Sequence, residues 1–171
     1  MNIPEQLATI STFIFDVDGV MTDGSLLIMH NGEYLRTMNI KDGYALQLAV
    51  KKGFRVLVIS GAGSVHVQQR MNYLGITEVH MGVKHKKALV QQLLTPEEIN
   101  NALFMGDDMP DLELMQLVGL PACPADAAPE ILSAARYISP QPGGKGCVRD
   151  VIEKVMKVQG KWGDNTQTSA I

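Results

Sequence analysis

Short apolar runs alternate with longer segments of mixed polarity along most of this chain. Phe13-Ile14-Phe15, Phe54–Ile59, Ala102–Met105 and Leu120–Cys123 are apolar enough to read as strands of a parallel sheet buried on both faces. Glu78–Met81 and Tyr137–Ser139 are shorter strand candidates. Between these runs, Tyr44–Lys52, Ser64–Leu74, Lys86–Leu94, Leu112–Val118, Pro129–Ala135 and Val148–Val158 read as helices. Gly53 and Gly75 close the first two. Thr95-Pro96-Glu97-Glu98 has the cap-then-proline pattern of a helix start, and residues 1–10 read as a lead-in to the first strand. Strands alternating with helices predict an α/β fold in three α/β/α layers, with a central parallel sheet and right-handed crossovers.

One segment departs from that rhythm. Ser25–His30 and Tyr34–Met38 flank Asn31-Gly32, the strongest short hairpin signal because both turn residues tolerate positive φ. A β-hairpin insertion over about residues 24–40 follows. At 171 residues the expectation is a single domain, 1–160, with a polar tail over 161–171.

Composition narrows the partners. A hydrophobic content of 46% with 19% charged residues fits a globular chain. The net charge of −3 and the lack of a basic run argue against nucleic acid or an anionic membrane. No signal-like start or bilayer-length apolar stretch is evident, which points to the cytoplasm. Cys123 and Cys147 have neither CxxC nor Cys/His metal spacing and read as reduced thiols. The four histidines, His30, His66, His80 and His85, show no ligand spacing and read as structural or exposed; His66, a few residues past Ser60, is the one to watch.

The chemistry gathers where strands end. Asp16-Val17-Asp18-Gly19 places two carboxylates at i and i+2 directly after an apolar strand. Acids that close repel unless a cation or a shared proton relieves them. Alone, the pattern fits an Asp-Gly turn as well as a catalytic pair. Further along, Ser60-Gly61 ends the second long strand, the Lys84/Lys86/Lys87 cluster follows the third, and Asp107, Asp108 and Asp111 follow the fourth. Strand ends of a parallel sheet converge on one crevice. The set supplies what phosphoryl transfer needs: a nucleophile, an acid/base, donors to phosphate oxygens, a neutralising lysine and oxygen ligands for Mg²⁺.

Taken together, Asp16-Val17-Asp18-Gly19-Val20-Met21-Thr22, Ser60, the lysine before a helix and Gly106-Asp107-Asp108-Met109-Pro110-Asp111 resemble the four motifs of the haloacid dehalogenase-like phosphatases. The lack of a cap insertion, the Asn31-Gly32 hairpin and Gly143-Gly144-Lys145-Gly146-Cys147-Val148-Arg149 resemble its capless, tetrameric subfamily. The resemblance implies a Rossmann-like fold and makes Asp16 the nucleophile and Asp18 the acid/base. It makes Ser60 the phosphate-binding hydroxyl and selects Lys86 from Gly82-Val83-Lys84-His85-Lys86. It also implies Mg²⁺ held by Asp16, the Asp18 carbonyl and Asp107, with Asp111 and Asp108 in support. The implied substrate is a phosphorylated sugar acid, 3-deoxy-D-manno-octulosonate 8-phosphate first and a nine-carbon sialic-acid-type 9-phosphate as the alternative. The implied assembly is a homotetramer whose sites are completed by neighbouring subunits.

One departure bears on specificity. Where the sugar-acid enzymes of this family commonly carry an arginine that faces the substrate carboxylate, this chain has Ala62. Gly61, Lys145, Arg149 and Arg70, with Arg36, are the candidate substrate contacts. Two readings from other classes stand beside the enzyme. A receiver-like module would lack the Asp16-x-Asp18 spacing, and a non-catalytic interaction module would have no need of Asp18.

Overall fold

The computed structural model describes residues 2–163 and Thr168. At its centre is β1 (Thr12–Phe15), whose Phe13, Ile14 and Phe15 are completely buried. It pairs in parallel with β4 (Arg55–Ile59) on one side and β6 (Ala102–Met105) on the other, so Phe13 lies between Val56 and Leu103. The sheet extends through β4 to β5 (Glu78–His80), and through β6 to β7 (Leu120–Cys123) and β8 (Tyr137–Ile138). The order is β5-β4-β1-β6-β7-β8, parallel throughout. This is the parallel, doubly covered sheet that the apolar runs predict.

Alternation along the strands divides the core between two faces. Phe13, Phe15, Val58 and Met105 point to one face, beneath α1 (Ile3–Thr9), α2 (Ile40–Lys51), α3 (Val65–Tyr73) and α8 (Cys147–Val158). Ile14, Leu57, Ile59 and Phe104 point to the other, beneath α4 (Lys86–Leu93), α5 (Pro96–Asn100), α6 (Leu112–Met115) and α7 (Pro129–Ala134). In α8, Val148, Val151, Ile152, Val155 and Met156 form the buried stripe, all fully inaccessible. Burial of each side chain stabilises by roughly 1.5–3 kcal/mol.

Several local expectations are corrected. Residues 1–10 are more than a lead-in: α1 forms because Asn2 and Glu5 cap it reciprocally. α2 begins at Ile40 rather than Tyr44, since Asn39 caps it through the Lys41 N–H and draws Lys41-Asp42-Gly43 into its first turn. α6 stops at Met115, short of Val118. The hairpin is reduced to two-residue strands, β2 (Leu27–Ile28) and β3 (Tyr34–Leu35). Its turn uses positive φ at Gly32 alone, +85°, while the Asn31 side chain accepts the Glu33 N–H. Of the expected polar tail, Lys161 and Trp162 fold back, both N–H groups donating to the Met156 carbonyl, and Trp162 packs edge-on to Tyr44. Apart from Gly163 and Thr168, the remainder of 161–171 lies outside the described residues.

A buried acid joins two of these helices. Asp42 on α2 is 3% exposed, and its Oδ1 accepts the Arg149 N–H at 2.8 Å in the first turn of α8. Its Oδ2 makes no hydrogen bond of normal geometry with a partner among the described residues. Burial pushes the Asp42 carboxyl up to about 6, against the opposing pull of the α8 backbone donors. For an acid raised in the folded state, the associated stability is complete below the unfolded value near 3.8. It is lost as pH climbs through about 6. Asp42→Asn removes that charge and keeps the Oδ1 acceptor. Melting curves of wild type and variant should therefore diverge with pH. Wild type should gain on the variant, by roughly 2–3 kcal/mol at most, as pH falls from 7.5 to 4. Parallel curves would show that Asp42 is not the source.

Candidate active site

Asp16 is the first residue after β1, Ser60 the first after β4, and Asp107 follows β6 across Gly106. Because β4, β1 and β6 are adjacent, the three residues emerge side by side where the strand order reverses. Asp16, Asp18, Ser60, Lys86, Asp107 and Asp111 line the resulting crevice, about 350 Å³, together with Gly61, Ala62 and Asp108. Every catalytic and metal-ligating candidate read from the sequence thus lies in one place.

Lys86 organises the floor. As the first residue of α4 it sits at the end of a helix that disfavours cations, yet its side chain is 6% exposed. Its Nζ donates to Asp16 Oδ1 at 2.7 Å and to Asp111 Oδ1 at 2.6 Å. Burial works against its charge, but the two carboxylates together hold its pKa above the ordinary lysine value. Asp111 uses its second oxygen on the Asp107 N–H at 3.0 Å and the Asp108 N–H at 3.4 Å. Asp108 in turn caps the same turn by accepting the Met109 N–H at 2.8 Å. Asp111 is therefore a strut, while Asp16 and Asp107 line the crevice together with Asp18 and Asp108.

Two glycines allow that geometry. A Cβ at Gly106 would lie 2.5 Å from the Asp111 Cβ, so only glycine lets Asp111 fold back onto the Asp107 N–H. A Cβ at Gly19 would lie 1.9 Å from Asp107 Oδ2, and Gly19 has φ +89°. The loop between Asp16 and Thr22 is backed in its turn by Gly143-Gly144. A Cβ on Gly143 would meet the Gly19 carbonyl oxygen at 2.0 Å, and the Gly144 N–H donates to the Val20 carbonyl at 2.9 Å. The resemblance ties this glycine pair to the subfamily, while its packing against the loop between Asp16 and Thr22 is visible only in the fold.

Five aspartates and two lysines, Lys84 and Lys86, line the crevice, which leaves it short of positive charge. Burial, then the neighbouring Asp111 charge, raises Asp16 to about 6 despite the Lys86 contact. Burial, then Asp16, Asp111 and Asp108, raises Asp107 to about 7. Oxygen atoms of Asp16, Asp107 and Asp111 come within 4.8 Å of one another. A hard divalent cation with oxygen ligands fits this donor set and removes its repulsion. On the opposite wall, Ser60 is 2% exposed and its Oγ accepts the Ala62 N–H at 3.2 Å. The Ser60 carbonyl accepts the Val83 N–H at 2.9 Å, which pins the two loops together.

The substrate-contact candidates separate. Gly61 is in the crevice. Lys145 and Arg149 instead line a second cavity beside α8; Lys145 lies 3.9 Å from Asp23, and Arg149 pairs with Glu153 at 3.2 Å. Arg70 lines a third cavity, under the hairpin, together with His66. Charge alone cannot say which loop faces which cavity, so the sequence could not sort these cations. It also did not foresee that Arg36 pairs with Asp18, at 2.6 and 2.9 Å.

Comparison with known proteins gives the family. Residues 72–149 match the family described as haloacid dehalogenase-like hydrolase. The 3-deoxy-D-manno-octulosonate 8-phosphate phosphatase of Escherichia coli (strain K12) is 36% identical over 154 residues, spanning 89% of this chain and 82% of that protein. The chain belongs to the haloacid dehalogenase-like hydrolases. Among solved structures of such hydrolases, the 3-deoxy-D-manno-octulosonate 8-phosphate phosphatase of Yersinia pestis superposes with a TM-score of 0.87 at 32% identity, covering 99% of this chain and 91% of that one. The same enzyme from Moraxella catarrhalis, in complex with magnesium, phosphate and KDO, gives 0.85 at 28% identity with 92% of each chain covered.

Proposed function

We propose that this hydrolase cleaves 3-deoxy-D-manno-octulosonate 8-phosphate to the free sugar acid and phosphate, through an aspartyl-phosphate on Asp16. The observation that carries the reading is the Lys86 bridge. It fixes one oxygen of Asp16 and leaves that residue at the crevice floor beside Asp107. The relatives named above supply the substrate.

In this reading a carboxylate oxygen of Asp16 attacks phosphorus as the ester P–O bond breaks, and Asp18 gives its proton to the leaving oxygen. Asp18 then takes a proton from the water that hydrolyses the acyl phosphate, which restores both residues. Ser60 and the N–H groups near Gly61 hold phosphate oxygens, and Lys86 offsets their charge. Asp16, Asp107 and the Asp18 carbonyl would hold Mg²⁺, which when bound neutralises phosphate and carboxylate charge. Asp111 orients Lys86 and the Asp107 backbone, and Asp108 shapes the turn that carries them.

We read residues 1–160 as one catalytic domain without a cap and 161–171 as its tail. Leu27 and Ile28 on the hairpin are 63% and 70% exposed, and Tyr34 is 54% exposed. These side chains favour a homotetramer in which hairpins pack together and close neighbouring sites. Lys145 and Arg149 would then serve an adjoining crevice rather than their own. No helix among the described residues is long and apolar enough to cross a membrane, and both cysteines are buried and unpaired. A reducing cytoplasm suits them.

Phosphate release from 3-deoxy-D-manno-octulosonate 8-phosphate in the presence of Mg²⁺ tests the proposal. Excess chelator should abolish it, and Asp107→Ala should sharply raise the Mg²⁺ concentration needed. Full activity in chelator, or none on this ester with Mg²⁺ present, would remove the assignment.

A further inference from the structure

The hairpin exposes most of its side chains, yet Arg36 on its second arm is an exception, with a side chain only 6% exposed. Its Nε donates to Asp18 Oδ1 at 2.6 Å and its Nη2 to Asp18 Oδ2 at 2.9 Å, a two-point fork that occupies both carboxylate oxygens. Nη1 donates to the Tyr34 carbonyl at 3.3 Å, which squares the guanidinium against its own strand. Asp18 lines the phosphate crevice, whereas Arg36 lines the adjoining cavity of about 250 Å³ with Ser64, His66 and Arg70. The ion pair is therefore the partition between the two.

We infer that Arg36 is the residue that reads a second negative charge on the substrate, a carboxylate, and that Asp18 is its partner until that carboxylate takes over. The inference rests on the phosphatase reading above. A guanidinium binds any carboxylate by the same planar fork, so exchanging Asp18 for a substrate carboxylate conserves the two charge-assisted hydrogen bonds. The exchange leaves both Asp18 oxygens free to face the ester oxygen at the crevice. A neutral sugar phosphate has nothing to offer Arg36, and Asp18 stays engaged. Selection for the acid and release of Asp18 thus become one event.

The neighbourhood supports the exchange. Ala62 leaves the Ser60 loop without a cation. Of the two lysines that line the crevice, Lys86 is held between Asp16 and Asp111 and Lys84 is exposed, so a buried, aligned cation for a carboxylate comes from another element. Arg36 is already buried and aligned at the boundary of the crevice, and Arg70 and His66 add further nitrogen groups to the cavity behind it. Lys145 and Arg149 of the same chain lie in a different cavity. The competing account is that Arg36 only anchors the hairpin.

Two esters of equal carbon count distinguish these accounts. 6-Phosphogluconate ends in a carboxylate where glucitol 6-phosphate ends in a hydroxymethyl group. The full-length protein with Mg²⁺ should favour the acid by about tenfold or more in kcat/KM. Arg36→Met should bring that ratio to within about twofold of one, losing on the acid and gaining on the neutral ester. Arg36→Lys, which keeps the charge without the fork, should restore part of the preference. Melting temperatures of both variants establish that they are folded. An equal fall on both esters, a ratio in Arg36→Met close to that of wild type, or a wild type without preference would each overturn the inference. Failure of the phosphatase reading looks different: wild type would hydrolyse neither ester, nor p-nitrophenyl phosphate, and both conclusions would fall.

Discussion

Asp16→Asn is expected to lower phosphate ester hydrolysis by about 10⁴-fold or more, with no loss of thermal stability in metal-free buffer at pH 7.5. The first half follows from chemistry: an amide cannot form the acyl phosphate, and losing a nucleophile removes the step that the other groups assist. The second half follows from the electrostatics of the crevice floor. Burial and the neighbouring Asp111 raise Asp16 to about 6 although Lys86 lies 2.7 Å away. An acid raised in the folded state stabilises fully below about 3.8, and that contribution is lost as pH rises through about 6. Above pH 7 the ionised Asp16 therefore weakens the metal-free protein, and asparagine removes the charge while retaining an acceptor for Lys86. Phosphate release and a melting curve on one preparation check both halves. A variant that is inactive because it is unfolded, or one with turnover within tenfold of wild type, would contradict the assignment. Stability given up for a reactive charge is characteristic of a functional site.

Gly19→Ala should cost the protein its divalent-cation response and at least about 10²-fold in kcat/KM. The added methyl would sit 1.9 Å from Asp107 Oδ2, closer than any non-bonded approach, at a backbone φ of +89° that alanine resists. Relief requires Asp107 to swing away or the loop to move. The second route is blocked from behind, because the Gly19 carbonyl packs where a Gly143 Cβ would be, at 2.0 Å. Backbone strain alone should destabilise by about 1–2 kcal/mol. The informative measurement is the rise in melting temperature on adding MgCl₂ to each protein. Wild type should show a rise and Gly19→Ala little or none. An undiminished rise in a folded variant would mean that Asp107 does not hold the cation.

These expectations draw on features that were unevenly legible in the chain. The strands were readable because a doubly covered parallel strand must be apolar at every position, and Phe13-Ile14-Phe15 and Ala102–Met105 are. The acids were readable because uncompensated carboxylates at i and i+2 beside glycine are costly unless they act on something. Local capping was only partly read. The reciprocal Asn2/Glu5 cap of α1 and the Asn39 cap of α2 are short-range and were visible in principle, yet glycine at 43 masked the second.

By itself, then, the sequence determined the α/β class, the apolar strands and the residue types of the phosphate crevice. Each follows from local pattern, through strand alternation, helix periodicity or the chemistry of a motif. The tertiary structure alone decided which strands are neighbours. Because β1 pairs with both β4 and β6, Asp16, Ser60 and Asp107 stand together although more than 40 residues separate each from the next in the chain. It also decided how the cations divide: Lys86 between two acids, Arg36 on Asp18, Lys145 and Arg149 around the side of α8. The reason is physical. Hydrophobic burial is read from spacing along the chain, whereas a long cationic side chain takes its partner from whatever carboxylate the folded backbone brings within about 3 Å.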